Sequence, residues 1–457
     1  MPLRNVSIYL FSSIALLWSS SLCAQVSINS PYSRFGIGLL TTPLNANYQG
    51  MGGASVAKYD QGSINFTNPA FFSSLTETTF QGNAMLKQTQ LTTTDGTSKF
   101  TGGQIGEIGV GFKRVGGKWG YAMGINPESM VGYKYASSTT VNDSISTANT
   151  FEGTGGVNKL QMGLGRTFVL FRDSLNHSSH TLAIGGSLDY RFGSILQIDR
   201  INFQNTTMYN SKITNRKSLS DANFTLGIHY ALPLFKRTIN NKNTRTTWMH
   251  LGLTYEAQNK VNLTVQDLRQ STKYVSGIEY TVLTVIDSVY TNYSYVAPQR
   301  IQAGISLDHE LKNSGRVGFS GSYSMQNWAS VSSKNSVIQT SNQSFHNAHD
   351  LRLGLDYTPN TTGSENTIFG RGTYRVGVIK NFTYMGVSGA QVVQEAFSAG
   401  FQLPARSSKT STTFSLSFEM GKFSTPSGST SSEAYKTILL GCNLHPFERW
   451  FVQRKYD

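Results

Sequence analysis

Large apolar side chains recur at every second position in about a dozen short runs of this chain, with Gly, Ser or Thr between them. Ile108-Gly-Val-Gly-Phe112, Trp119-Gly-Tyr-Ala-Met-Gly-Ile125, Phe224-Thr-Leu-Gly-Ile-His-Tyr230, Ile301-Gln-Ala-Gly-Ile-Ser-Leu307 and Leu351-Arg-Leu-Gly-Leu-Asp-Tyr357 are examples. Period two puts the bulky residues on one face of a strand and the small or charged ones on the other. The pattern predicts fourteen strands, at approximately 76–92, 103–114, 118–136, 152–170, 180–204, 216–235, 247–264, 298–310, 315–330, 345–358, 370–384, 392–403, 411–423 and 434–452. A fifteenth alternating run, 274–290, reads as an extension of the seventh strand or as part of an external hairpin, because an odd wall strand would break the parity of a bacterial barrel.

A soluble β-sandwich also alternates, but its outer face is richly charged. Here the face opposite the apolar one is mostly Gly, Ser and Thr, and the runs reach the roughly 9–11 residues that a strand needs to cross a bilayer. The expected fold is therefore all-β: a 14-stranded antiparallel transmembrane β-barrel over 76–457. Trp119, Trp248 and Trp450 fall beside expected periplasmic ends and Trp328 near an external end, as an aromatic girdle requires.

Composition adds an address. Residues 1–24 read as a cleaved signal peptide, with Arg4, an apolar run from Val6 to Trp18, and Cys23-Ala24 before the cut. Thereafter no run of about 18 apolar residues occurs, so helical spans are excluded. Cys442 remains without a partner for a disulfide. The formal charge of +14 suits anionic lipid and lipopolysaccharide. The basic residues are scattered, so no nucleic-acid partner is expected. Together these place the protein in the outer membrane of a Gram-negative bacterium.

Candidate chemistry is sparse. Glu107, Asp189, Arg191, Glu256, Arg352, Asp356, Arg375 and Glu419 fall on the lumen face and read as paired filling, since an unpaired buried charge is costly. His177/His180 and His346/His349 are too few for a metal site. No nucleophile elbow, phosphate loop or zinc signature occurs, so no enzyme activity, cofactor or metal is expected. Pro127, after Asn126, interrupts the third strand. Proline cannot donate to a ladder, so Asn126-Pro127 marks a kink, a bulge or a gap in the wall.

Ahead of the strands, residues 25–75 lack alternation and carry Gln49-Gly50-Met-Gly52-Gly53-Ala-Ser-Val-Ala57, then Asn65-Phe66-Thr-Asn68-Pro69-Ala70-Phe71-Phe72. The small residues suit close backbone packing in a plug. Asn68 and Pro69 suit the cap and first turn of a short helix, and Phe66, Phe71 and Phe72 suit a hydrophobic pocket or the plug's own core.

These motifs, in this order, resemble the N-terminal hatch of the FadL family of outer-membrane long-chain fatty acid transporters. The opening Ser30-Pro-Tyr-Ser-Arg-Phe-Gly-Ile-Gly38 and the closing Glu448–Asp457 stretch are similar to FadL-related barrels of Bacteroidetes-type bacteria. The resemblance implies a hatch inside the barrel, passive uptake of a hydrophobic small molecule, and lateral release through a wall gap near the third strand. An alternative from another class is an accessory or scaffold barrel in an outer-membrane protein complex, as PorV-type relatives of type IX secretion are, or in barrel assembly. A general porin is the third reading, and the plug opposes it.

Overall fold

A computed structural model describes residues 30–446, apart from 94–95, 115, 142–144, 174–177, 204–206, 240–242, 312–313, 336, 339–342, 362–367, 388, 407–409 and 426–431. The leader, Trp450 and the closing 448–457 stretch lie outside the described residues. The wall strands are β1 (Thr79–Thr93), β2 (Gly96–Lys113), β3 (Trp119–Val141), β4 (Ile145–Asp173), β5 (Ser178–Phe203) and β6 (Asn210–Ile239). Then β7 comprises two collinear segments (Asn243–Glu256 and Asn259–Val275), as does β8 (Ile278–Ala297 and Arg300–Glu310). The remainder are β9 (Arg316–Gln326), β10 (Ala348–Thr358), β11 (Thr373–Val387), β12 (Ala390–Arg406), β13 (Thr410–Ser424) and β14 (Ser432–Pro446). Each pairs antiparallel with its neighbours, and β14 closes on β1 from Ser432–Thr92 to Leu444–Phe80. The fourteen-stranded barrel expected from the alternation is the fold.

Strand β10 shows why it sits in a membrane. Leu351, Leu353, Leu355 and Tyr357 are exposed on the outside, while Arg352 and Asp356 between them are buried within. That is apolar-out, polar-in alternation, the inverse of a soluble sheet. Among the described residues no helix is long and apolar enough to cross a membrane.

The 274–290 run is the tip of a long hairpin that extends both β7 and β8. The two upper segments pair from Ile278–Val275 to Ala297–Asn259, around a turn in which Ser276 and Gly277 have positive φ. Below the break in β7, Leu251, Leu253 and Tyr255 face out; above it, Val261, Leu263 and Val265 are buried inside. The two residues between the segments, Ala257 and Gln258, turn the strand over. The upper interior accordingly holds an apolar cluster that includes Val261, Leu263, Tyr295, Trp328, Val331 and Tyr384.

This arrangement corrects the tryptophan girdle. Trp119 is exposed at the periplasmic end of β3. Trp248, however, shares the inward-facing parity of His250 and Thr254, and its ring stacks near His250. Trp328 is buried, stacked on Tyr384 at 4.5 Å, as part of the upper cluster.

Candidate functional site

Residues 30–75 are mostly buried and touch the inward face of strands around the whole circumference. A Cβ on Gly50 would meet Gly400 of β12 at 2.8 Å, so this approach needs two glycines facing each other. Gly52 and Gly53 have φ of +72° and +75°, and the Gly52 carbonyl accepts from Arg352 Nη1 at 3.1 Å. The expected short helix is a 3-10 helix, Pro69–Ser74. Asn68 caps it by accepting from Ala70 N at 3.1 Å, and its amide donates to Val56 O and Ile228 O at 3.0 and 3.1 Å. Pro69 and Ala70 lie against the Gly185 backbone of β5. Phe66 and Phe72 meet edge-on at 5.8 Å, in a cluster with Ile64, Leu75 and Ala122. Phe71 packs on the His229 ring at 4.4 Å. All three phenylalanines therefore pack the segment onto the wall.

Charge fixes this segment to one side of the barrel. Lys58 Nζ bridges Asp308 of β8 at 2.8 Å and Asp356 of β10 at 2.6 Å, with all three buried. Gln49 donates to Glu419 of β13, which also accepts from Tyr435 at 2.5 Å. The eight lumenal charges read from the sequence are all buried. Arg191 pairs with Glu128 at 2.8 Å and with Glu256, and Lys159 lies 3.7 Å from Asp189. Burial, with Asp60 and Glu107 nearby, raises the Tyr48 phenol well above its ordinary range, so it stays protonated.

On the opposite side one ladder of the wall is short. Strands β2 and β3 pair only from Lys113–Gly120 to Ile108–Ile125. Above that point β2 continues along β1 and β3 along β4, and among the described residues the two have no further pairing. Asn126 and Pro127 come directly after the last pair, and a register shift between Pro127 and Ser129 makes Glu128 a bulge facing Arg191. The freed edge of β3 is taken by the N-terminal segment: Leu39 and Leu40 pair antiparallel with Met130 and Ser129. Backbone bonds flank this pairing, from Ser30 N to Gly132 O at 2.8 Å and from Thr41 N to Glu128 O at 2.9 Å. Gly38 (φ +96°) leads into it, with Met130 O only 2.5 Å from where a Cβ would stand.

Two cavities meet at Met130. An inner one of about 110 Å³ is lined by Leu39, Leu44, Met85, Met130, Ile379 and Leu439, among others. An outer one of about 880 Å³ is lined by Phe100 and Gln104 of β2, Met130 and Gly132 of β3, and Gly155 and Gly193. The inner cavity is smaller than the roughly 150 Å³ known to take a benzene ring, so it admits a ligand only if the segment shifts.

Some residues of the interior were not legible. His229 and His250, diagonal neighbours on β6 and β7, share a hydrogen bond of 3.0 Å, and Tyr59 stacks on His250 at 5.3 Å. They are widely spaced in sequence, so no short-range motif announces them. His346 hydrogen-bonds Ser344 and His349 hydrogen-bonds Tyr323, while His177 lies outside the described residues. Among the described residues no group of three metal-ligating side chains forms. Lys58 and Glu128 were missed too; a lysine within the Gly- and Ala-rich stretch was the available signal for the first.

The family model of BamG matches residues 7–457, essentially the whole chain. The chain belongs to the BamG family. No curated protein matches this BamG-family chain. Its fold is similar to the Ralstonia pickettii toluene transporter TbuX, at 13% identity and a TM-score of 0.53, over 88% of this chain and 98% of that one. The Pseudomonas putida toluene transporter TodX gives 12%, 0.53, 88% and 98%. A Pseudomonas aeruginosa FadL homologue gives 11%, 0.50, 90% and 100%. At these identities the likeness speaks for the fold, a FadL-type barrel, and for nothing finer.

Proposed function

We propose that this outer-membrane barrel passes hydrophobic small molecules, long-chain fatty acids among them, sideways into the bilayer between β2 and β3, with residues 25–75 as the plug. The observation that carries this reading is the interrupted seam, whose β3 edge is covered by Leu39 and Leu40 rather than by β2. The hydrogen bonds that hold this flank are individually weak and exchangeable, whereas the same segment is anchored opposite by buried ion pairs. Release of Leu39–Leu40 joins the inner cavity to the outer one at Met130. In this reading Asn126 and Pro127 act by ending the β2–β3 ladder, and Gly50, Gly52, Gly53 and Asn68–Ala70 act by holding the plug.

The test is a reversible lock. Leu39 and Met130 are cross-strand partners, so L39C/M130C places two thiols where a disulfide can close. Purified protein in vesicles is given a fluorescent fatty acid. Transfer falls to background when the pair is oxidised and returns on reduction; transfer that ignores the lock overturns the proposal.

The ion-paired lower interior, with Lys58 on Asp356 and Arg191 on Glu256, favours a second reading, an accessory barrel in an outer-membrane complex. A protein that stays bound through purification in mild detergent supports it, and a bound lipid in its place supports the first.

A further inference from the structure

A cavity of about 610 Å³ lies where β5 and β6 meet the upper segments of β7 and β8, with Arg34 of the N-terminal segment on its wall. The lower segment of β8, Arg300–Glu310, already supplies the roughly 9–11 residues needed to cross the bilayer. The upper segments, and the cavity beside them, therefore stand on the outer side of the membrane.

Lys217 of β6 lines this cavity and is 9% exposed. Its cross-strand neighbours are Ile195 of β5 and Val265 of β7, both apolar and buried. The other buried lysines of the described residues, Lys58, Lys87 and Lys159, lie 2.6, 3.9 and 3.7 Å from a carboxylate oxygen. Among the described residues Lys217 has no ion pair and no hydrogen-bond partner. An ammonium kept at this depth without a counter-charge is costly, and an anion from outside the chain removes that cost.

The groups around Lys217 define what else the anion carries. One row farther from the membrane, Gln197, Asn215 and Asp267 stand side by side on β5, β6 and β7. Asn215 Oδ1 and Asp199 Oδ1, both from residues on the cavity wall, lack a hydrogen-bond partner among the described residues. Both are acceptors and suit hydroxyl donors. Arg34 lies 3.6 Å from Asp199 and offsets its charge. Tyr290 and Tyr293, edge to face at 5.7 Å, supply amphipathic rings on the same wall. An acyl chain or a hydrocarbon would strip water from Lys217 without pairing it, and a metal ion would be repelled by it.

We propose that this cavity is a binding site for an anionic sugar, a polyhydroxylated ring bearing a carboxylate or phosphate. Lys217 takes the charge, and Asn215 and Asp199 accept from the hydroxyls. The volume falls within the range of small-molecule sites. The proposal goes beyond the transport and accessory readings and is independent of whether the β2–β3 seam opens.

The test is calorimetric titration of the full-length protein in detergent free of lipopolysaccharide. Glucuronate and glucose 1-phosphate are the probes, with glucose, octanoate and a tetraglutamate peptide beside them. At least one acidic sugar is expected to bind about tenfold or more tightly than all three comparison solutes. Lys217→Met should weaken that binding about ten- to a hundredfold, the worth of one charge-assisted hydrogen bond, while Lys217→Arg stays within a few-fold of wild type. Asn215→Leu should cost about three- to tenfold. A retained heat-dependent gel shift shows that each variant keeps its barrel. Repeating the titration in vesicles that contain lipopolysaccharide separates two sources. Loss of probe binding there assigns the site to the sugars of that lipid, and unchanged binding assigns it to a free solute. The proposal is overturned if neither acidic sugar binds, if glucose, octanoate or the peptide binds as well, or if Lys217→Met binds like wild type.

Discussion

The N-terminal segment meets the wall in two different ways. Toward β8, β10 and β13 it is fixed by buried charge and amide, Lys58 to Asp308 and Asp356, and Gln49 to Glu419. Toward β3 it is held by hydrogen bonds, the Leu39 and Leu40 pairing beside Met130 and Ser129 and the hydroxyls of Ser33, Thr41 and Ser129, which donate to the carbonyls of Gly132, Pro127 and Ile37. Breaking a buried ion pair strands an uncompensated charge, whereas a two-residue ladder opens for little more than its hydrogen bonds. The difference teaches which side stays put. A segment held by ion pairs along one flank and by hydrogen bonds along the other is expected to yield first at the hydrogen-bonded flank, which lies where the β2–β3 ladder stops.

The largest effect is expected on the anchored side. Replacing Lys58 with Met leaves the buried Asp308 and Asp356 with Arg316 as a remaining cation, at 3.9 and 3.2 Å, and should lower stability to denaturant in vesicles by about 3 kcal/mol, the low end for breaking a buried pair. A shift no greater than that of a surface change would break the contrast. Next, Gly38→Ala places a Cβ against Met130 O at a backbone angle that disfavours it. We expect a loss of about 1–2 kcal/mol, confined to the paired flank. Amide exchange should rise at Leu39 and Leu40 while Lys58 remains in place, and equal exchange on both flanks would refute the local picture.

Asn68→Ala removes the cap and two carbonyl contacts, and about 1 kcal/mol is expected in the same unfolding assay. Smallest is Lys134→Ala on the outer part of β3. Lys134 is 68% exposed although it lies 2.5 Å from Glu152, so its removal should change stability by only about 0–1 kcal/mol. A large effect there would mean that the seam depends on charge after all.

Much of this architecture could be read in advance, because a lipid-facing strand has to write its periodicity into the sequence. Fourteen alternating runs gave the wall, and Asn68-Pro69 gave the capped turn. Pro127, a residue without an N–H, stands just beyond the last β2–β3 pair. What the break exposes was not readable, because the partner of the freed edge lies some ninety residues earlier, in a run with no strand pattern. The inversion of β7 was hidden for a subtler reason. Leu251, Leu253, Tyr255, Val261, Leu263 and Val265 are all odd-numbered, so the alternation stays in phase while Ala257 and Gln258 rotate the chain. The 274–290 run, read as an extension of the seventh strand or as part of an external hairpin, is both at once. Trp248 was assigned to the girdle from its position near a strand end, a cue that says nothing about which face it occupies.

The hairpin that carries β8 above the membrane also bears on how the protein reaches its destination. Before the barrel closes, Ile278–Tyr293 must travel through the periplasm unpaired, and a weakly charged stretch of high β-propensity is a hazard in any unfolded chain. Safe delivery is therefore expected to need an escort in transit. Cells depleted of periplasmic holding chaperones should lose this protein to aggregation, and V285K/V289K should spare part of it. The strip that stands exposed once the barrel is in place is a liability on the way there.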